Sequence, residues 1–144
     1  MKKTIFLFCI LSISIFSKEK LSYGDIPVTK ILYVIDGDTF KVDIDEYPPI
    51  IGKNISIRVA KVDTPEINSK DPIIKKKALL AKSFTENFLK NAKQITLKDI
   101  KRDKYFRIVA DVIVDNKNLS SELIKNGLGL EYDGKKKPNW SLKN

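Results

Sequence analysis

The chain has 144 residues, enough for one domain with a substantial core, and 27 lysines and arginines against 18 acids give it a formal net charge of +9. It contains no histidine and one cysteine, which excludes imidazole as base, nucleophile or metal ligand, and with it Ser-His-Asp, Cys-His and histidine-bound zinc sites. What remains is carboxylate and arginine chemistry, with a hard cation such as Ca²⁺ or Mg²⁺ if a metal takes part.

In chain order, Met1-Lys2-Lys3 is a short positive segment, Ile5–Phe16 is almost wholly apolar, and Ser17 offers a small residue for cleavage. Residues 1–17 read as a secretory signal peptide, too short to span a bilayer comfortably, so the chain is expected to be exported, either to the medium or to a periplasm. Cys9 lies inside that segment, and removing Lys2 and Lys3 with it lowers the charge from +9 to +7. A basic exported domain suits a polyanionic partner, most simply nucleic acid, although teichoic acid, lipopolysaccharide or a membrane surface would suit the same charge. Residues 18–27 are polar and mixed and read as a linker, leaving 28–144 as the domain.

Two β-rich runs, 28–34 and 39–44, flank Asp36-Gly37-Asp38 and predict a hairpin. Asp45-Glu46-Tyr47-Pro48-Pro49 is a loop or an edge, since consecutive prolines cannot donate to a ladder. A third strand is expected over 54–62, and residues 67–72 are turn-like. From 75 to 91 the period changes: Ala78, Leu80, Ala81, Phe84 and Phe88 recur at helical spacing. Strands are expected again over 94–100 and 106–114, around the charged turn 101–105. A second helix opens at Asn118 and stops at Asn126-Gly127. The order β-β-β-α-β-β-α suits an α+β fold built on a five-stranded antiparallel β-barrel of the OB type with two to three helices.

Three stretches carry candidate chemistry. Asp36-Gly37-Asp38-Thr39 is a tight-turn sequence whose carboxylates could also hold a metal. Arg58-Val-Ala-Lys-Val-Asp-Thr-Pro-Glu66 puts three functional side chains at a strand end. Arg58 and Asp63, five apart, fall on opposite faces of a regular strand, so their convergence requires a bend, expected near Asp63 at the Thr64-Pro65 step. Asp103-Lys-Tyr-Phe-Arg107 is a turn ending on an arginine. The chain uses only three arginines, Arg58, Arg102 and Arg107, against 24 lysines. Arginine in so lysine-rich a sequence marks places where a planar fork is needed, as for phosphate oxygens, or where a buried cation serves structure.

Together these motifs resemble the staphylococcal nuclease family of secreted, calcium-dependent phosphodiesterases, over roughly residues 28–140. The resemblance implies that Asp38, Asp63 and the Thr64 carbonyl bind Ca²⁺, and that Glu66 orients or deprotonates the attacking water. It implies further that Arg58 and Arg107 grip the scissile phosphate of DNA or RNA, while Lys104, Tyr105 and Tyr132 contact the rest of the nucleic acid. It also implies 3′-phosphate and 5′-hydroxyl products and little sequence specificity. A monomer without a stable protein partner is expected. A non-catalytic OB-fold module that only binds nucleic acid is the alternative. Asp36 would support the turn, and the runs Lys75–Lys77 and Lys135–Lys137 read as solvated faces. The sequence departs from the family pattern in four places: Phe106 stands where glycine is usual before the second arginine; the segment between Asp38 and Arg58 is longer; the C-terminal helix is absent or shortened; and Asp71-Pro72 sits where a substrate loop would run.

Overall fold

The computed structural model describes residues 23–142. The segment read as a signal peptide, residues 1–17, lies outside the described residues. Among the described residues no helix is long and apolar enough to cross a membrane.

Among the described residues the strands are β1 (Ile26–Pro27), β2 (Lys30–Asp36), β3 (Thr39–Asp43), β4 (Ile55–Val59), β5 (Val62–Asp63), β6 (Ile95–Arg102), β7 (Ile108–Val114), β8 (Lys117–Asn118) and β9 (Leu130–Glu131). The helices are α1 (Pro49–Gly52), α2 (Pro72–Lys90) and α3 (Leu119–Lys125), followed by a short 3₁₀ turn over Trp140–Leu142. Seven of these strands form one curled sheet, six in the order β1-β6-β7-β4-β3-β2 and β8 attached to β7. Pairing is antiparallel except at one seam, where β4 and β7 run parallel, with Arg58 opposite Val109. The parallel pair is possible because α2 and β6 lie between these strands in sequence and carry the chain back across the sheet.

Closure of the sheet corrects the expected linker. Ile26 and Pro27, placed in residues 18–27, pair with Thr96 and Leu97 of β6, and a few residues later the same run of chain pairs with β3. One continuous stretch thus touches both ends of the strand order and curls the sheet into an OB-type barrel. The reason lies in Ile26, whose side chain is buried in the core, and in Pro27, whose missing N–H is tolerated at an edge. The hydrophobic core is led by Phe40, Val42, Ile44, Ile57, Val59, Leu97, Val112, Leu119 and Leu123.

The helix expected over 75–91 starts three residues earlier. The Asp71 carboxylate caps it by accepting from the Ile73 and Ile74 amides, and Pro72 fills the first helical position, where no amide proton is needed. Asp71-Pro72 is therefore a helix start rather than a loop. Asn118 caps α3 in the same way. The double-proline loop contains a single helical turn, α1, which leaves Ile50 almost wholly exposed at its tip. The strand expected from residue 106 begins only at Ile108, because Phe106 takes a left-handed backbone (φ 62°) in the preceding turn.

Candidate active site

The Asp36–Thr39 turn is seated on α2. The Thr85 hydroxyl, on a fully buried side chain, donates to the Gly37 carbonyl at 2.6 Å. A Cβ at Gly37 would lie 2.7 Å from the Ala81 Cβ and 2.8 Å from the Thr64 Cγ2, so only glycine allows the helix and the Thr64 segment to close on this turn. Behind it, the Asp38 carbonyl accepts from the Val59 amide, tying the turn to the end of β4.

The expected bend between Arg58 and Asp63 is present, but it lies earlier than the Thr64-Pro65 step. Ala60 and Lys61 turn between β4 and β5, with Lys61 in the left-handed region (φ 65°), and its ammonium bonds to Asp111 at 2.5 Å. The bend lets residues from opposite strand faces converge. Arg58 forms an ion pair with Asp38 Oδ2 at 2.7 Å and donates to Asp63 Oδ1 at 3.4 Å. Thr64 adds its amide (2.8 Å) and hydroxyl (3.0 Å) to the same Asp38 oxygen, and the Thr39 hydroxyl donates to Asp38 Oδ1. Asp38, Arg58, Asp63 and Thr64 are all buried.

Burial without full compensation shapes the electrostatics. Burial pushes the Asp38 carboxyl up to about 6 against the pull of Arg58, with the Asp36 charge adding to the rise. Asp63 is likewise raised, chiefly by burial and further by Asp38, while the Trp140 N–H and Lys137 work the other way. Both carboxyls are raised chiefly by burial, and a cation beside them would favour their ionised forms.

Among the described residues no cluster of three or more acidic, histidine or cysteine side chains is assembled. The donor set for a metal is therefore two carboxylates with threonine oxygens and water, which suits a hard cation such as Ca²⁺. Asp38 Oδ2 accepts from the Thr64 amide and hydroxyl and faces the Arg58 guanidinium, whereas Asp38 Oδ1 and Asp63 Oδ2 each accept a single hydrogen bond and keep a lone pair. These residues fit the group.

The remaining candidates fall into two places. Glu66 lies on the rim, half exposed, and Tyr132 faces the Arg58 guanidinium at 5.9 Å. Arg107 is not joined to the acids: its Nε donates to Asp103 at 2.8 Å, its backbone amide donates to the same carboxylate, and its guanidinium lies over the Tyr105 ring. Lys104 flanks that ring as well, so Lys104, Tyr105 and Arg107 form one cluster on the 103–107 turn. Arg107 stands just before β7, two residues ahead of Val109, the register partner of Arg58.

Sequence reasoning missed Lys137 and Trp140. The Trp140 indole N–H donates to Asp63 Oδ2 at 3.0 Å, Lys137 pairs with Glu66 and lies 3.8 Å from Asp63, and Lys77 sits over the Trp140 ring at 5.3 Å. Lys137 and Lys77, both assigned to solvated runs, thus bear on the site. A single tryptophan in a polar tail was the available signal.

The family model described as staphylococcal nuclease homologue matches residues 56–143. That span holds Arg58, Asp63, Thr64, Glu66 and Arg107, while Asp38 lies before it and owes its place to the geometry above. Among similar proteins, a thermonuclease from Staphylococcus hyicus is 32% identical over 114 residues, covering 78% of this chain and 64% of its own length. Endonuclease YncB from Bacillus subtilis (strain 168) is 34% identical over 96 residues, 65% of this chain and 43% of its own length. The chain thus spans less than two thirds of either relative. With the matched family model covering most of the curled sheet, α2, α3 and all but one of the clustered side chains, the chain belongs to the staphylococcal nuclease homologue family.

Proposed function

We propose that this protein is an exported, Ca²⁺-dependent nuclease that hydrolyses phosphodiester bonds of DNA and RNA. The observation that carries the reading is the buried Asp38–Arg58–Asp63–Thr64 cluster with Glu66 at its rim, whose carboxylate and threonine oxygens would suit a hard cation in a chain with no histidine. The names of the two relatives, a thermonuclease and an endonuclease, support the same reaction.

Asp38, Asp63 and Thr64 would hold Ca²⁺, which when bound supplies fixed positive charge to a phosphate oxygen. Glu66, the exposed carboxylate at the rim, orients a water and accepts its proton as the water oxygen bonds to phosphorus. Arg58 and Arg107 bind the phosphate oxygens, and their charge is worth most as the five-coordinate transition state gathers negative charge. The bond from phosphorus to the 5′ oxygen breaks and that oxygen takes up a proton, leaving a 3′-phosphate and a 5′-hydroxyl. Tyr132 beside Arg58, and Lys104 and Tyr105 beside Arg107, offer rings and charge to neighbouring nucleotides. The protein acts as a monomer.

Single-turnover cleavage of a single-stranded DNA by Arg58→Lys and Glu66→Gln tests the assignment. Each is expected to lose on the order of 10²–10³ in rate, as for removal of one transition-state donor. Full-speed cutting by Arg58→Lys would contradict it. Retention of intact DNA by the unaltered protein would favour the alternative, a binding module without catalysis.

A further inference from the structure

The tail segment 135–142 enters the site from outside the barrel. Its Lys137 ammonium pairs with Glu66, 71 residues earlier in the chain, and lies 3.8 Å from Asp63 Oδ1. Three residues on, the Trp140 indole holds the other oxygen of the same carboxylate at 3.0 Å, and Lys77 of α2 covers the Trp140 ring. Pro138 stiffens the chain between the two anchors. Lys135 of the same run pairs instead with Asp133, at 3.6 Å. The contact is thus particular to Lys137 and is held in place by its neighbour.

Around this ammonium stand Asp63 and Glu66 directly, with Asp38 behind, and Arg58 is the other cation bonded to the group. Both positive charges therefore sit where a cation is wanted. We propose that Lys137 is a built-in competitor for the cation: its ammonium occupies the space between Asp63 and Glu66, and Ca²⁺ binding at Asp38 and Asp63 expels it. This deepens the metal reading given above and rests on it.

A dication beside Asp63 repels an ammonium a few ångströms away and takes over the attraction that held it. Once expelled, Lys137 no longer pairs with Glu66, and the carboxylate becomes free to accept a proton from water. Loading the cation and freeing the base are then one event, so a chain without Ca²⁺ keeps its Glu66 occupied. Linkage requires the converse: whatever weakens the Lys137 contact tightens the cation.

The test is a calorimetric Ca²⁺ titration of the full chain without nucleic acid, comparing the unaltered protein with Lys137→Met, Lys137→Gln and Lys135→Met. The emission of Trp140, the only tryptophan in the chain, reports in parallel on the Asp63 carboxylate. Both Lys137 variants are expected to bind Ca²⁺ about 3- to 10-fold tighter, a modest gain because Lys137 and Glu66 are half exposed. Lys135→Met removes the same charge away from the site and is expected to leave the affinity unchanged. Equal or weaker binding by the Lys137 variants, with the unaltered protein still binding, would overturn the competition and leave the metal reading standing. An equal gain in Lys135→Met would reduce the effect to net charge and overturn it too. Absence of Ca²⁺ binding in every variant would overturn the metal reading itself, and the competition with it.

Discussion

Thr85→Val removes one hydroxyl and keeps the side-chain shape. Thr85 is fully buried within α2, and its hydroxyl donates to the Gly37 carbonyl at 2.6 Å. A valine methyl cannot approach an oxygen so closely, so the turn must move away from α2 or the carbonyl must lose its partner. An unsatisfied buried acceptor costs about 1–3 kcal/mol, and the added methyl offsets less than about 1 kcal/mol because the site is already filled. The net expectation is a loss of about 2 kcal/mol, lowering the urea midpoint by about 1 M with an unchanged slope near 2 kcal/mol per M. Thr85→Ser keeps the donor and loses one buried methyl, about 1 kcal/mol, so it should be the milder change. Since Gly37 adjoins Asp38, Thr85→Val should also weaken Ca²⁺ binding while Thr85→Ser retains it. A Thr85→Val protein as stable as Thr85→Ser, with unchanged affinity, would refute the idea that this hydrogen bond seats the turn.

Other positions make independent tests. Gly37→Ala should destabilise by at least about 1–3 kcal/mol in a urea melt and lower cleavage, since its Cβ would press on Ala81 and Thr64. Phe106→Gly should stabilise by about 0.5 kcal/mol in thermal denaturation: it relieves a left-handed backbone costing about 1–2 kcal/mol, gives back about 0.4–1 kcal/mol through unfolded-chain entropy, and loses little packing because the ring is mostly exposed. Burial acts to raise the Asp103 carboxyl, but the bonds donated by Arg107 and the Tyr105 amide hold it below its ordinary 3.8. Its contribution to stability is therefore complete above pH 3.8 and disappears as pH falls through the depressed value, so Asp103→Asn should flatten the acid limb of a stability–pH curve. The same variant frees Arg107 and should slow cleavage by about tenfold at pH 7.

The parts of the molecule legible in the sequence are those governed by local chemistry. The hairpin at Asp36–Thr39, the helix run from Ala78 to Phe88 and the stop at Asn126-Gly127 all follow from spacing and turn residues, and the structure has each of them. Phe106 was recognisable as standing at a glycine position, and its φ of 62° shows that the turn does ask for a left-handed residue. Arg107 nevertheless keeps its anchor, because Asp103 holds it at both backbone and side chain. Asp71-Pro72 was equally local, a cap followed by a first-turn proline, but it was read with the turn-like stretch 67–72 rather than as the start of the helix.

The elements that escaped depend on partners far away in sequence. Ile26 looks like any residue of a polar lead-in until Leu97 is placed beside it. Alternation along one strand could not reveal where Arg58 and Asp63 meet, because the turn that joins them is set by Lys61 against Asp111, fifty residues on. Lys137 is chemically identical to the two lysines before it, and only the Trp140 anchor separates it from them. A run of like charges hides its one specific member from sequence reasoning.

The central claim, a Ca²⁺-dependent phosphodiesterase centred on Asp38, Asp63 and Glu66, is tested most directly by a time course on end-labelled single-stranded DNA. The full chain is incubated with Ca²⁺, with a chelator, and with Ca²⁺ as the Glu66→Gln variant. The account predicts cleavage that requires Ca²⁺, leaves 3′-phosphate ends, and falls on the order of 10²–10³ in Glu66→Gln. Cleavage that persists undiminished in the chelator, or in Glu66→Gln, would contradict it.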